Sequence, residues 1–173
     1  MLGKRWIKAK KSCLYCMKEI SKNSNARVSV IIFNYQARII VDCEIVDIDQ
    51  CEQKIDYDSG ETNFCDAFQK AYDLIIKHQN YAFEKTEILF YTDGAGEYPK
   101  QEIQQFTMLP EQQRARIFLN CCTEDKNPIT LQMIVNEFNS SLIKSELKSN
   151  FLVADLEKAW TEIVSRDYHK LKS

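Results

Sequence analysis

The chain lacks the features that mark several large classes of protein. No apolar run approaches the roughly 20 residues needed to cross a bilayer, and the N-terminus continues into lysines rather than into an apolar signal region. Neither sign of charge is in excess, since Lys and Arg total 23, Asp and Glu total 25, and the net charge is −2. We therefore expect a cytoplasmic protein with no membrane span and no strong attraction to nucleic acid or to a membrane surface.

Glycine and histidine are also scarce, with four glycines and two histidines in 173 residues. Gly94 and Gly96 form a lone Gly-x-Gly, without the third glycine that phosphate binding requires. His78 and His169 are far apart in sequence, and no serine or cysteine is evidently coupled to either. Neither nucleotide binding nor a histidine-based catalytic site is predicted.

Cysteine, by contrast, is plentiful. Secreted disulfide frameworks are usually shorter chains with paired cysteines, whereas the number here is odd. The Cys13-x-x-Cys16 pair lies inside an amphipathic helical pattern and no second pair follows it, which favours packing over redox or zinc chemistry. We predict mostly buried thiols in a reducing cytosol. The seven are Cys13, Cys16, Cys43, Cys51, Cys65, Cys121 and Cys122.

Hydrophobic periodicity predicts alternating helices and strands. Residues 47–57 are acidic and mixed, favour no element, and lack the regular spacing of a calcium loop. The order predicts a single α/β domain, residues 1–173, with a largely parallel sheet. The predicted helices cover residues 3–21, 62 or 63 onward, 100–108, 128–138 and 155–167, and the strands cover residues 27–33, 36–46, 87–92 and 116–122, with a brief extended piece at 150–153.

Residues 88–94 (ILFYTDG) are the most informative stretch of the sequence. A parallel strand covered on both faces reads as an unbroken apolar run, and ligands bind beyond the carboxyl ends of such strands. Asp93 would lie at that edge, and Gly94 would allow the chain to turn into a loop. The pattern predicts that Asp93 holds a cation or a partner, although the carboxylate could also simply cap the following turn.

Four stretches together resemble the von Willebrand factor type A domain family. Residues 60–64 (GETNF) resemble its Gly-x-Thr-Asn-hydrophobic helix start, and residues 90–94 (FYTDG) resemble its strand ending in Thr-Asp-Gly. Residues 1–10 resemble the start of its first helix, and residues 156–163 resemble its closing helix. The resemblance implies a doubly wound, mostly parallel sheet with helices on both faces.

In that family a divalent cation at the carboxyl edge is held by an Asp-x-Ser-x-Ser loop, a threonine on a second loop and an aspartate on a third. The resemblance assigns the threonine to Thr62 and the aspartate to Asp93. The first strand and its Asp-x-Ser-x-Ser loop would precede Met1, and we expect the domain to be truncated there. Thr62, Asp93 and waters would then hold Mg²⁺ at most weakly, and no other cofactor is expected.

The missing strand also carries an expected energetic cost. The family places it centrally, and burying about six residues is worth roughly 5–10 kcal/mol. The total free energy of unfolding of a domain is only about 5–15 kcal/mol. We therefore expect the missing strand to cost most of that stability unless the neighbouring strands pair.

The resemblance implies a non-enzymatic protein-protein interaction domain with an incomplete metal-ion-dependent adhesion site. Its protein partner would be contacted through Thr62, Asp93, Gly94 and the loop that ends at Pro99. Either Thr62 or Asn63 can cap the helix that follows, and Thr62 could instead serve only as that cap. Two alternatives stay open: an α/β enzyme that uses Asp93 and a nucleophilic cysteine, either Cys121 or Cys122, and a vestigial fragment without independent function.

Overall fold

Helices and strands alternate along the chain in a computed structural model, which describes residues 3–22, 25–56, 60–81, 83–93, 95–149 and 155–168. The described helices are α1 (Gly3–Ile20), α2 (Ile48–Lys54), α3 (Phe64–Lys77), α4 (Lys100–Thr107), α5 (Glu111–Arg114), α6 (Ile129–Ser140) and α7 (Leu156–Tyr168), with a 3-10 turn at Gln79–Tyr81. The described strands are β1 (Arg27–Phe33), β2 (Ala37–Ile45), β3 (Thr86–Thr92), β4 (Ile117–Thr123) and β5 (Lys144–Lys148).

The periodic segments form the elements that their patterns predict, within about two residues at each end. Three elements were not predicted: α2, α5 and β5. The acidic segment that favoured no element therefore contains a helix rather than only a loop. The extended piece predicted at residues 150–153 lies outside the described residues.

Strands β3, β4 and β5 form a parallel sheet in that order. Thr86 pairs with Ile117 at one end of the β3–β4 ladder, and Thr92 pairs with Thr123 at the other. Every side chain of β4 except Phe118 and Asn120 is buried, as expected of a central strand covered on both faces. The predicted α/β class and parallel sheet are confirmed.

Strands β1 and β2 form a separate two-stranded antiparallel hairpin, so the described residues contain two sheets rather than one. The turn between them is closed at Asn34, whose backbone N–H donates to the carbonyl oxygen of Gln36 at 3.2 Å. The Asn34 side-chain oxygen also accepts the Gln36 N–H at 2.9 Å. The doubly wound arrangement with helices on both faces stays a prediction.

The chain divides into two compact units. Unit 1 contains residues 1–32, 39–59 and 152–173, and unit 2 contains residues 33–38 and 60–151. Each unit has its own interior, and the two interiors are built from different side chains.

Aromatic rings fill the interior of unit 2. The ring of Phe90 on β3 stacks on Phe33 at 5.1 Å and on Phe68 at 5.2 Å between centroids, and it meets Phe64 edge to face at 5.3 Å. Such offset and edge-to-face pairs add to the gain from burial alone. Because Phe64 and Phe68 lie one turn apart on α3, the helix is fixed against β3 over its first two turns.

The interior of unit 1 includes side chains from α1, β2 and α2. Met17, Val41 and Cys51 are buried together, and the apolar neighbours that complete the cluster are only partly buried. Helix α2 owes its position to a tertiary contact: the Lys10 Nζ atom on α1 donates to the carbonyl oxygens of Glu52 at 2.7 Å and Ile55 at 2.8 Å. This amine satisfies carbonyls at the end of α2 and lies at the favourable end of its dipole.

All seven cysteines are free thiols, and five of them are buried, which confirms the prediction of mostly buried cysteines. The predicted inward face of the last helix is also confirmed for Leu156, Ala159 and Trp160, all of which are buried. Within the described residues, no helix combines the length and the apolar character that a membrane crossing demands.

Candidate interaction site at the carboxyl edge of the parallel sheet

The register of β3 and β4 places two carboxylates side by side at the carboxyl edge. Thr92 pairs with Thr123 at the end of the ladder, and Asp93 and Glu124 are the next residues on the two strands. Neighbouring strands lie about 4.8 Å apart, so these residues leave the sheet as neighbours. Glu124 is held in place by the Tyr91 hydroxyl, which donates to its Oε1 atom at 3.1 Å.

The start of α3 reaches the same edge through Phe64. The Phe64 ring is almost fully buried and contacts Phe90, the third residue from the end of β3. It also lies against Gly96, where a Cβ atom would come within 2.6 Å of the ring. A side chain at position 96 would therefore displace the loop that follows Asp93.

The loop that carries Thr62 is fixed by the turn of the β1–β2 hairpin. The Asn63 N–H donates to the Asn34 carbonyl oxygen at 2.7 Å, and the Asn63 side-chain amide donates to the Tyr35 carbonyl oxygen at 3.0 Å. Farther along, the Asp66 carboxylate accepts the Ala37 N–H at 2.6 Å. These bonds give the loop a defined position.

Asn63, not Thr62, is the N-cap of α3. The Asn63 side-chain oxygen accepts the Asp66 N–H at 3.0 Å, and the Asn63 backbone is extended, as is usual at this position. Of the two cap candidates that the sequence left open, the structure selects the asparagine. Thr62 is half-buried and is left available for another role.

A groove of about 250 Å³ lies at this edge. Two of its walls come from the loops described above, since Phe64 is two residues after Thr62 and Ala95 is two residues after Asp93. The remaining wall is formed by Asp125 and by residues 127–131, which lead into α6 and form its first turn. Connections that follow β3 and β4 and the one that precedes α3 thus meet around one recess.

The acidic wall of the groove is ordered by local hydrogen bonds. The Thr123 hydroxyl accepts the Asp125 N–H at 3.1 Å, and the Asp125 Oδ1 atom accepts the Asn127 N–H at 2.9 Å. These bonds fix the turn between β4 and α6. The groove is therefore apolar at Phe64 and Leu131, with the Asp125 carboxylate at its side.

The predicted site residues have different outcomes. Thr62 and Asp93 each precede a lining residue of the same groove by two positions, and both are half-buried. Gly94, the third predicted contact, lies outside the described residues. That Thr62 or Asp93 binds a metal or a partner stays a prediction.

Within the described part of the chain, no three His, Cys, Asp or Glu side chains are grouped so that they could hold a metal ion. The thiols offered as alternative nucleophiles are buried at the end of β4, and burial raises the pKa of Cys121 above its usual range, with the neighbouring Cys122 adding to the effect. A nucleophilic cysteine needs the opposite shift. The raised pKa of Cys121 therefore does not fit an activated thiol.

Sequence reasoning missed Glu124, Asp125 and Ile129. Their placement depends on the β3–β4 register and on where α6 begins, neither of which periodicity reveals. One signal was present in the sequence: Glu124 directly follows a strand that ends in Thr123, just as Asp93 directly follows one that ends in Thr92.

A larger and shallower depression of about 530 Å³ lies beside α6, between Tyr98 and the helix residues Met133 and Glu137. The Tyr98 hydroxyl donates to the Glu137 carboxylate. Burial, followed by this bond and the adjacent negative charge, raises the pKa of Tyr98 to about 12. Tyr98 therefore stays protonated at neutral pH and serves to hold the 95–99 loop on α6.

No known protein-family profile matches the sequence, and no curated protein is significantly similar to it. The resemblance to von Willebrand A domains therefore stays an interpretation of the motifs themselves.

Proposed function

We propose that this chain is a non-enzymatic protein-interaction domain, of the von Willebrand A type, whose contact surface is the carboxyl edge of the β3–β5 sheet. The observation that carries the proposal is the groove lined by Phe64 and Ala95, which follow the predicted contacts Thr62 and Asp93 by two residues each. Its volume of about 250 Å³ is below the range of roughly 300–1,000 Å³ that is typical of small-molecule pockets. A recess of this size suits a side chain of a protein partner.

The chemistry of the edge specifies the kind of side chain that fits. Phe64 and Leu131 are apolar walls, and Ile129 at the rim is 63% exposed. Asp93, Glu124 and Asp125 follow β3 and β4 at the same edge. We assign the groove to an apolar partner side chain that is flanked by a lysine or arginine, with Thr62, Asp93 and Gly94 as contacts and with any Mg²⁺ held only weakly.

Two features support this proposal over its alternatives. Burial raises the pKa of Cys121, which works against a nucleophilic cysteine. The aromatic interior of unit 2 supports a folded domain rather than a vestigial fragment. Seven free thiols also support a reducing compartment, so we place the interaction in the cytoplasm.

Photocrosslinking tests the proposal. A benzophenone side chain is placed at position 129 in the full chain, and a control variant carries it at Met108, which is 80% exposed and does not line the groove. We expect a discrete protein adduct from position 129 only. The position-129 variant that also carries Asp93→Ala should give no adduct. Identical adducts from both positions, or an adduct that is indifferent to Asp93→Ala, would contradict the proposal.

Thiol labelling separates the proposal from the cysteine enzyme. In the native chain we expect slow labelling of all the buried cysteines, and we expect all seven to react once the chain is unfolded in denaturant. One cysteine that reacts fast in the native state and has a low apparent pKa would favour the enzyme instead.

A further inference from the structure

Helix α1 presents an exposed face that the packing of unit 1 does not use. At 100° per residue, six exposed residues fall within an arc of about 100° on the helix surface. We call them the α1 stripe. Ile7 is 54% exposed and Tyr15 is 41% exposed. The stripe consists of Lys4, Ile7, Lys8, Lys11, Tyr15 and Lys18.

The opposite face of α1 is the one that packs. Ala9, Cys16 and Met17 are buried there, and the helix contacts α2 and α7. Lys10 is not part of the stripe, because its amine donates to the end of α2. The stripe residues therefore contribute little to folding and are available for an external contact.

The α1 stripe concentrates positive charge in a chain that is acidic overall. Helix α1 carries five lysines and one arginine against one glutamate, whereas the whole chain has a net charge of −2. The single glutamate, Glu19, lies outside the arc and pairs with Lys22. No acidic residue interrupts the stripe, so it attracts anions although the whole chain does not.

We propose that the α1 stripe binds a membrane surface that carries anionic lipid headgroups. Lys4 and Lys18 are about 21 Å apart along a straight helix, and a plane can touch every residue of so narrow an arc at once. Tyrosine is favoured where one end of a side chain is apolar and the other wet, as at a lipid interface. At a lipid surface Ile7 would also be removed from water. The phosphate backbone of a nucleic acid, by contrast, offers Ile7 no apolar partner.

The strength of such a contact follows from the number of lysines. Each lysine near an anionic surface strengthens binding about fivefold, and the attraction falls off within a Debye length. Binding should therefore weaken steeply as salt is raised. The contact is on unit 1 and does not depend on the groove, so its failure and that of the proposed interaction are distinguishable.

Vesicle co-sedimentation of the full chain tests the proposal. Vesicles of phosphatidylcholine alone are compared with vesicles in which about a third of the lipid is phosphatidylserine. We expect binding to the anionic vesicles only, weakened about 25-fold in Lys8→Gln/Lys11→Gln. The matched control, Lys100→Gln/Lys126→Gln, removes two exposed lysines elsewhere and should bind as the parent chain does. The single variants Lys4→Gln and Lys18→Gln should each weaken binding about fivefold, and circular dichroism verifies that every variant is folded.

Three results would overturn the proposal: equal binding to neutral vesicles, no effect of the stripe substitutions on binding, or displacement from anionic vesicles by a short duplex of DNA or RNA at a lower phosphate concentration. The last result would assign the stripe to nucleic acid. Ile7→Ser and Tyr15→Ser supply a further criterion, because they should weaken vesicle binding without changing its dependence on salt.

Discussion

The two compact units reach a folded interior in different ways. Unit 2 surrounds a parallel sheet with interlocking phenylalanine rings, several of them fully buried. Unit 1 packs most of a two-stranded hairpin against helices, and its buried side chains include Met17, Val41, Cys51, Leu156 and Trp160. A two-stranded hairpin is marginal without packing, so unit 1 depends more on its helix contacts. The groove thus belongs to the unit that contains the parallel sheet, and the basic surface belongs to the unit that contains most of the hairpin.

The largest test of this contrast compares one core substitution in each unit. Phe68→Ala removes a ring that contacts Phe90, Phe106 and Phe138, and we expect a loss of about 3–5 kcal/mol. Met17→Ala should cost about 2 kcal/mol, since its half-buried neighbours can relax into the space.

Urea denaturation measures both losses. The only tryptophans, Trp6 and Trp160, belong to unit 1, so their fluorescence follows that unit while far-UV circular dichroism follows both. Equal losses for the two variants, or a larger one for Met17→Ala, would break the comparison.

Gly96→Ala sharpens the account of the groove. The new Cβ atom would lie 2.6 Å from Cγ of the buried Phe64 ring, and we expect a loss of about 1–3 kcal/mol in thermal or urea unfolding. Gly3→Ala is the matched control, since beyond the chain neighbours and the backbone of α1 nothing lies within 4 Å of a Cβ atom there. A Gly96→Ala variant as stable as the parent chain would show that the loop after Asp93 is not held by Phe64.

Lys10→Met isolates the contact that positions α2 in unit 1. Methionine keeps an apolar stem but has no amine for the Glu52 and Ile55 carbonyl oxygens, so we expect a loss of about 0.5–1 kcal/mol. Lys11→Met, at an exposed neighbouring position, should change tryptophan-detected unfolding by much less. Equal effects of the two variants would argue that the amine does not cap α2.

The smallest effect is a gain in stability in unit 2. Leu142 has a φ angle of 70° just after α6, in the left-handed region that favours glycine. Its side chain is 52% exposed, so little burial is lost on removal. We expect Leu142→Gly to raise the free energy of unfolding by about 0.5–1 kcal/mol. Leu142→Ala keeps the strain and should show no such gain; a comparable gain there would place the effect elsewhere.

The sequence predicted the segments whose form is decided locally. Strand β1 has the predicted bounds, because a run of Val and Ile specifies a strand by itself. Strand β5 (KSELK) could not be predicted this way, because its position is set from α6. The Ser145 N–H donates to Asn139 Oδ1 at 3.0 Å, and the Ser145 hydroxyl donates to the Val135 carbonyl oxygen at 2.8 Å.

The candidate site was predictable only as far as single loops. The Thr-Asp-Gly ending pointed to Asp93, but the second carboxylate at the edge required the register that sets Thr92 beside Thr123.

The net charge of the chain was an equally limited guide to its surface. A net charge of −2 predicted no strong attraction to nucleic acid or to a membrane surface, yet four of the five lysines of α1 share one exposed face. Both differences arise because spatial neighbours are set by pairing and by helix phase rather than by composition.

The central claim is that the carboxyl edge of unit 2 contacts a partner through its own side chains rather than through a bound cation. A Mg²⁺ titration monitored by thermal shift, on the parent chain and on Asp93→Ala, tests it most directly. We predict that the melting temperatures of both proteins stay unchanged up to millimolar Mg²⁺. A clear stabilisation at millimolar or lower Mg²⁺ that disappears in Asp93→Ala would contradict the account.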